Sequence, residues 1–168
     1  MSHSDAGPLP IEAPGASCEA RSGIPAQPVL EFWVYGEPKP QGSKKAFVNP
    51  RTQRAVLVES SKGLRPWRQD LSATAMAERP HGWELLDGAI ALELEFRLPR
   101  RKKHGRRACT PDDAAVRPDS SKLLRAVEDA LSGVLIWDDA RITDHVIRKR
   151  IADVGQSPGV RIRISRAT

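Results

Sequence analysis

The sequence predicts an α+β or mixed α/β domain in which one mixed β-sheet is covered by two main helices. Residues 90–98 alternate between apolar and polar side chains, as a half-buried strand requires. Two further segments, 64–79 and 119–131, repeat apolar residues at helical spacing. Other predicted strands precede, separate and follow these helices, and this order favours a single sheet with the helices packed on it.

Ordered structure is predicted to begin after an N-terminal tail. Residues 1–28 are rich in Pro, Gly, Ala and Ser and show neither helical nor strand periodicity, so we predict a flexible tail there and a domain over 29–168. Residues 29–35 alternate as a strand does. The predicted loop at 36–45 combines turn residues with three lysines, and its glycines allow backbone amides to approach an anion closely.

The first helix is predicted between two strands. A short extended stretch at 55–58 precedes it, and the alternating strand at 90–98 follows it. Pro80 ends this helix, whose apolar face consists of residues spaced three or four apart: Leu64, Trp67, Leu71 and Ala75.

The second predicted helix has a clear start and end. Asp119 is placed to be its N-cap, and Ser132-Gly133 follows its last turn. Two strands, at 142–151 and 160–164, complete the domain, and the arginines of the last strand all face one way. The predicted buried side chains of the helix share one stripe: Leu123, Leu124, Val127, Ala130 and Leu131.

Composition excludes several classes of protein. Hydrophobic residues make up 39% and charged residues 29%, which is too apolar for a disordered chain and too polar for a membrane-embedded one. No segment has the ~18 consecutive apolar residues of a transmembrane helix, and no secretory signal is visible, so we expect a cytoplasmic protein without a membrane partner. Two distant cysteines support neither a disulfide framework nor a zinc site. A P-loop, a dinucleotide glycine motif and a Ser-His-Asp pattern are all missing.

Positive charge is concentrated in one segment, residues 100–107. This octet, Arg-Arg-Lys-Lys-His-Gly-Arg-Arg, holds six positive charges, which equals the net charge of +6 of the whole chain. A cluster of this density favours a polyanion, and nucleic acid is the usual one because each neutralised phosphate releases counterions. The alternative is a solvated basic loop without a partner.

The second half of this basic chain also contains several carboxylates, which would repel the phosphates of a nucleic acid. A bound divalent metal would explain them, because it turns acidic residues into a phosphate-binding site. Asp119 and Asp129 are roughly 15 Å apart along the helix, so a second ligand must come from elsewhere. The Asp138-Asp139 turn follows through a connection short enough to return across the helix face. The full candidate set is Asp119, Glu128, Asp129, Asp138, Asp139 and Asp144.

Each of these carboxylates also has an ordinary interpretation. Asp119 is suited to an N-cap, Asp129 to an ion pair with Arg125 at i, i+4, and an Asp-Asp turn to an exposed surface. His145 is a candidate base, although a lone histidine in a strand is usually packed or exposed without a catalytic role. Spacing alone leaves these alternatives open.

Residues 117–142, RPDSSKLLRAVEDALSGVLIWDDARI, resemble the core of the RusA family of endodeoxyribonucleases, Holliday junction resolvases often carried by phages and prophages. The G-x-P-x-P-Q-G-S-K motif at 36–44 and Pro66-Trp67-Arg68 resemble the family's N-terminal half, so the resemblance covers about residues 29–165. Its specific signal is a Pro-Asp helix start, an Asp-Ala-Leu helix end and an Asp-Asp turn in this order and spacing.

The resemblance implies a homodimer that binds four-way DNA junctions and nicks two opposed strands symmetrically, using aspartate-bound Mg²⁺, with Mn²⁺ as an alternative ion. Asp119 matches the family's first essential aspartate, and Asp138 and Asp139 match its acidic pair. Arg125 falls where many members have a lysine near the active site, and Asp129 matches a recurrent helix aspartate, here a candidate metal ligand. The expected DNA contacts are basic residues: Lys44, Lys45, Arg100, Arg101, Lys102, Lys103, Arg106, Arg107 and Lys122.

One position departs from the family pattern. Many members have a second aspartate two residues after the first, followed by asparagine, where this chain has Ser121 and Lys122. Asp129 or Glu128 is a candidate to replace that ligand. Two hypotheses follow: a metal-dependent, structure-selective endonuclease, or a junction-binding or replication-accessory protein that has lost cleavage. The presence of Asp119 together with the acidic pair favours the enzyme.

A homodimer also needs an interface. The apolar stripe of the second helix is wide enough for both the core and part of an interface, and Trp137 lies beside the acidic pair in sequence. The alternative is that the whole stripe packs within one protomer, because amphipathic helices usually face their own core.

Overall fold

The computed structural model describes residues 28–42, 44–48, 50–59, 63–100 and 114–167. The predicted tail, except for Pro28, lies outside these residues. In the described part of the chain, no helix has the length and apolar character needed to cross a bilayer. The elements, in chain order, are β1 (Leu30–Tyr35), β2 (Lys44–Val48), β3 (Ala55–Glu59), α1 (Leu64–Glu78), β4 (Ile90–Leu98), α2 (Ser120–Leu131), a 3₁₀ turn (Asp139–Arg141), β5 (Ile142–Ile151) and β6 (Gly159–Arg166).

Four strands form one mixed sheet in the order β1-β6-β4-β5. β4 and β5 are parallel, whereas β6 is antiparallel to both β4 and β1. The predicted mixed sheet with two helices is therefore confirmed. β2 and β3 form a separate hairpin, so the predicted loop at 36–45 ends earlier than expected. Residues 44–48 adopt an extended conformation because they pair with β3. Local composition does not reveal such pairing, so the sequence does not predict this strand.

The hydrophobic core lies between one face of the sheet and the two helices. Leu92, Leu94 and Phe96 of β4 enter it and are at most 1% exposed. α1 contributes the face predicted for it, from Leu64 to Ala75. Within the described residues, both helices pack on this one face of the sheet.

α2 buries a wider arc than its sequence predicts. Leu123, Val127, Ala130 and Leu131 are buried as expected, and Leu124 is half-buried. Ala126, which is not part of the predicted stripe, is also fully buried. α2 packs against α1 as well as against the sheet, and the Ser72 hydroxyl of α1 donates to the carbonyl of Ala130 at 2.9 Å. Contact on two sides explains the wider buried arc.

The other face of the sheet carries ion pairs between neighbouring strands. Glu93 of β4 is only 7% exposed, and it accepts hydrogen bonds from Arg148 of β5 and Arg163 of β6. Arg161 of β6 donates to Glu95 at 2.7 Å. The prediction that the β6 arginines share one face is confirmed. These pairs satisfy the buried carboxylate of Glu93, which offsets the cost of burying its charge on this face of the sheet.

Candidate active site

The N-terminal end of α2 presents Asp119 to a cationic groove. Asp119 is the N-cap residue, as predicted, but its carboxylate makes no capping hydrogen bond. It is 57% exposed and lies 3.4 Å from the ammonium of Lys122. The groove beside it has a volume of about 460 Å³, and its cations are Lys39, Arg117 and Lys122, of which Lys39 pairs with Glu37 of the same groove at 2.8 Å. An anion such as phosphate can therefore approach Asp119 between positive charges.

Two contacts with other elements fix this end of the helix. The amide of Gln41, in the loop after β1, donates to the carbonyl of Lys122 at 2.9 Å. The ammonium of Lys149, on β5, donates to the carbonyls of Val116 and Pro118 at 2.7 and 2.8 Å. The start of α2 is thus tied to the edge strand β5 and to the loop that follows the other edge strand, β1.

The acidic pair lies beyond the C-terminal end of α2. The amide of Trp137 donates to the carbonyl of Leu86 at 3.0 Å, which holds the chain just before the pair. One Asp138 oxygen accepts from the amide of Ala140 at 2.8 Å and caps the 3₁₀ turn. Asp139 is exposed, and within the described residues no side chain is paired with it. This end of the helix therefore offers carboxylate oxygens to solvent.

α2 separates the two groups of aspartates. Its 12 residues rise about 18 Å along the axis. β5 then runs back beside it, with the His145 ring 2.9 Å from the Glu128 carboxylate and Lys149 reaching Pro118. The expectation that the Asp138-Asp139 turn returns across the helix face is therefore wrong. The turn stays at the C-terminal end of α2, and the segment that runs back along the helix is β5, which follows the turn. Among the described residues, no three His, Cys, Asp or Glu side chains are grouped to hold a metal ion.

The other acidic candidates on α2 have neighbours of their own. Asp129 pairs with Arg68 of α1, rather than with Arg125 at i, i+4. Glu128 pairs with His145. Arg125 is exposed midway along the helix. Asp129 and Glu128 therefore pair with residues of other elements, whereas the partner of Asp119 is Lys122 of its own helix.

Comparison with known families decides where the chain belongs. Endodeoxyribonuclease RusA matches residues 36–165, which is most of the chain. The chain belongs to the RusA endodeoxyribonuclease family. The matched region runs from the loop after β1 to β6, so it includes both ends of α2. A search of curated proteins found no match.

Only some of the DNA contacts expected for a RusA protein are among the described side chains. Lys122 lines the groove beside Asp119. Arg100 follows β4 and lies 3.8 Å from Asp153. The side chains outside the described residues are those of Lys44, Lys45, Arg101, Lys102, Lys103, Arg106 and Arg107.

Sequence analysis missed the contacts that β5 makes with α2. His145, Ile147 and Lys149 alternate along the strand, and their register partners Leu92, Leu94 and Phe96 face the helices. The alternation is visible in the sequence once a strand is predicted at 142–151. The antiparallel alignment of that strand with α2 is not, because it depends on the length and path of the connection between them.

Proposed function

We propose that this protein is a metal-dependent, structure-selective DNA endonuclease that resolves four-way junctions by paired symmetric nicks. Membership of the RusA endodeoxyribonuclease family carries the proposal. Asp119, Asp138 and Asp139, which occupy the expected acidic positions, support it because all three are exposed. Glu128 and Asp129 differ from them because each pairs with a basic side chain of another element, His145 and Arg68 respectively.

The proposed metal is Mg²⁺, with Mn²⁺ as an alternative, held by Asp119, Asp138 and Asp139. Carboxylate oxygens are the donors that these hard cations prefer, with phosphate oxygens and water completing the set. When bound, the ion supplies a Lewis acid for the phosphate and activates water. The donor chemistry therefore fits, but the donors of one described protomer are divided between the two ends of α2.

A homodimer would remove this division. A two-fold axis perpendicular to α2 runs the two copies of the helix antiparallel, so Asp119 of one protomer approaches the partner's Asp138 and Asp139. Charge supports this arrangement, because a cationic groove at one end of α2 would face an acidic turn at the other. Each dimer would then contain two composite sites, as two opposed nicks require.

The proposed interface uses the exposed side of α2 and not its apolar stripe. Leu123, Val127 and Leu131 are fully buried within one protomer, so they are not available to a partner. Trp137 is 64% exposed beside the acidic pair and offers a large apolar surface at the same end of the helix.

Basic residues have two proposed roles. Arg125, exposed between the two ends of α2, stabilises charge on the phosphate that reacts. Lys122 and the cations at 100–107 bind the backbone of the DNA arms, which gives affinity without sequence readout.

A synthetic four-way junction tests the function directly. We expect the wild-type protein to nick two opposed strands with Mg²⁺, to nick none with a chelator, and to leave a linear duplex of the same sequence intact. Light scattering should give about twice the 18.5 kDa of one chain. A mass near that of one chain that persists with junction DNA would contradict the dimer.

Ser121 favours a second hypothesis, in which the protein binds junctions, or assists replication, but cleaves poorly. It is exposed in the first turn of α2, where many family members have an aspartate. If the remaining donors suffice, Ser121→Asp should change the nicking rate at limiting Mg²⁺ by less than about threefold, on the order of 0.6 kcal/mol. A gain of tenfold or more, from a barely active wild type, would support the second hypothesis. Ser121→Asn, similar in size but uncharged, is the control.

A further inference from the structure

We propose that Lys149 is a positioning residue that holds the start of α2, and with it Asp119, in the place that cleavage requires. Lys149 lies on β5, outside the acidic set and outside the expected DNA contacts. The inference rests on the proposed function of Asp119, and its test includes a measurement that is independent of nicking.

Lys149 makes three contacts with the five residues that lead into Asp119. Its ammonium donates to the carbonyls of Val116 and Pro118, and its own carbonyl accepts from the amide of Ala114 at 2.8 Å. Two of the three ammonium donors are thereby used on backbone that immediately precedes the N-cap. A lysine that served only to attract DNA would point its ammonium to solvent.

The start of α2 lacks the usual means of fixing a helix terminus. Asp119 makes no capping bond, and the first turn contains no acidic residue. A capping bond would order the Asp119 side chain but would occupy one of its oxygens. Lys149 fixes the backbone on the preceding side instead, so neither carboxylate oxygen of Asp119 is used in a capping bond.

Helix stability does not explain this lysine. A cation near a helix N-terminus opposes the helix macrodipole, which favours negative charge there. Lys149 is also opposite Phe96 in the register of β4 and β5, a position that otherwise faces the core side of the sheet. The two hydrogen bonds from its ammonium to the carbonyls of Val116 and Pro118 explain why a lysine is accommodated at that position.

Three variants separate positioning from charge. Lys149→Met keeps the length of the side chain and removes its donors, and Lys149→Arg keeps the charge and donors. Arg150→Met removes a charge from the adjacent residue, which belongs to the other face of β5. Single-turnover nicking of the bound junction and junction affinity without metal are measured separately, and hydrogen exchange is followed at the amides of Leu123 and Gln41, both bonded at the start of α2.

We expect Lys149→Met to slow nicking of the bound junction by about tenfold or more, since small misplacements of reacting groups are costly. Junction affinity should change by less than about threefold, as expected for the loss of one charge that makes no phosphate contact. Exchange at Leu123 and Gln41 should become faster. Lys149→Arg should recover most of both effects, and Arg150→Met should show neither.

Two results would overturn the proposal. One is a loss of affinity in Lys149→Met with normal nicking once bound, which would make Lys149 a DNA contact. The other is unchanged exchange at Leu123 and Gln41, which would show that Lys149 does not hold the helix start. If the wild-type protein nicks no junction, the proposed function fails, and the exchange measurement alone decides whether Lys149 holds this segment.

Discussion

The two ends of α2 differ in charge although each presents aspartate to solvent. At the N-terminal end, Asp119 stands among the cations of the groove, Lys39, Arg117 and Lys122. At the C-terminal end, Asp138 and Asp139 follow the helix with no described cation paired to either. The first end is suited to a phosphate and the second to a cation. The metal-dependent cleavage proposed above needs both, so under that proposal neither end is a complete site by itself.

The helix macrodipole sharpens this difference. It favours negative charge at the N-terminus and disfavours it at the C-terminus. The acidic residues of the last turns of α2, Glu128 and Asp129, each contact a basic side chain, His145 and Arg68 respectively. Asp139 lies just beyond them in sequence, and among the described residues no basic side chain pairs with it. A bound divalent cation is the partner that would offset its charge.

Complementation between two inactive variants has the largest expected effect. Asp119→Asn and Asp139→Asn should each reduce nicking below detection, because each removes a proposed ligand from both sites of a homodimer. Mixed dimers of the two variants would carry both defects in one composite site and none in the other. We therefore expect subunit exchange to restore nicking of one strand per junction.

The same mixture distinguishes a shared site from one contained in a protomer. If each site used aspartates of a single chain, every site in a mixed dimer would keep one defect and the mixture would stay inactive. Junction binding without metal is the control for folding. It should be retained or tighter in Asp139→Asn, because a carboxylate that repels phosphate is lost.

The sequence predicts the elements better than it predicts their meeting points. The strand at 90–98, the bounds of α2 and the position of Asp119 at its N-cap follow from local periodicity and residue preferences, and all are confirmed, although the Asp119 side chain makes no capping hydrogen bond. The pairing of Asp129 with Arg68 and the hold of Lys149 on Pro118 join elements distant in sequence, so no local pattern contains them. The distance of about 18 Å between the two ends of α2 can be predicted from the length of the helix. The direction of the chain after Trp137 cannot be predicted in this way.

Substitution of Arg125 should have an intermediate effect. Its side chain is exposed midway between the two ends, where a site completed by a partner would hold the reacting phosphate. We expect Arg125→Met to slow nicking by about tenfold to a hundredfold, as the loss of a preorganised charge does. Arg125→Lys should retain more activity, because many family members have a lysine there. Arg65→Met, on the exposed surface of α1, is the matched control, and equal rates for the two Met variants would remove Arg125 from the site.

The smallest effect is expected for Asp129, and it tests whether every aspartate near the C-terminal end of α2 takes part. Its pairing with Arg68 joins α2 to α1, with both side chains about one-quarter exposed (27% and 29%), so the pair is worth about 0.5 kcal/mol. We expect Asp129→Asn to lower the melting temperature by a few degrees at most and to leave nicking within about twofold. Arg68→Met should have a similar effect, and the double variant should fall short of the sum because both changes break one ion pair. A loss of nicking as large as that of Asp139→Asn would instead make Asp129 a metal ligand, which would mean that Arg68 gives it up when the metal binds.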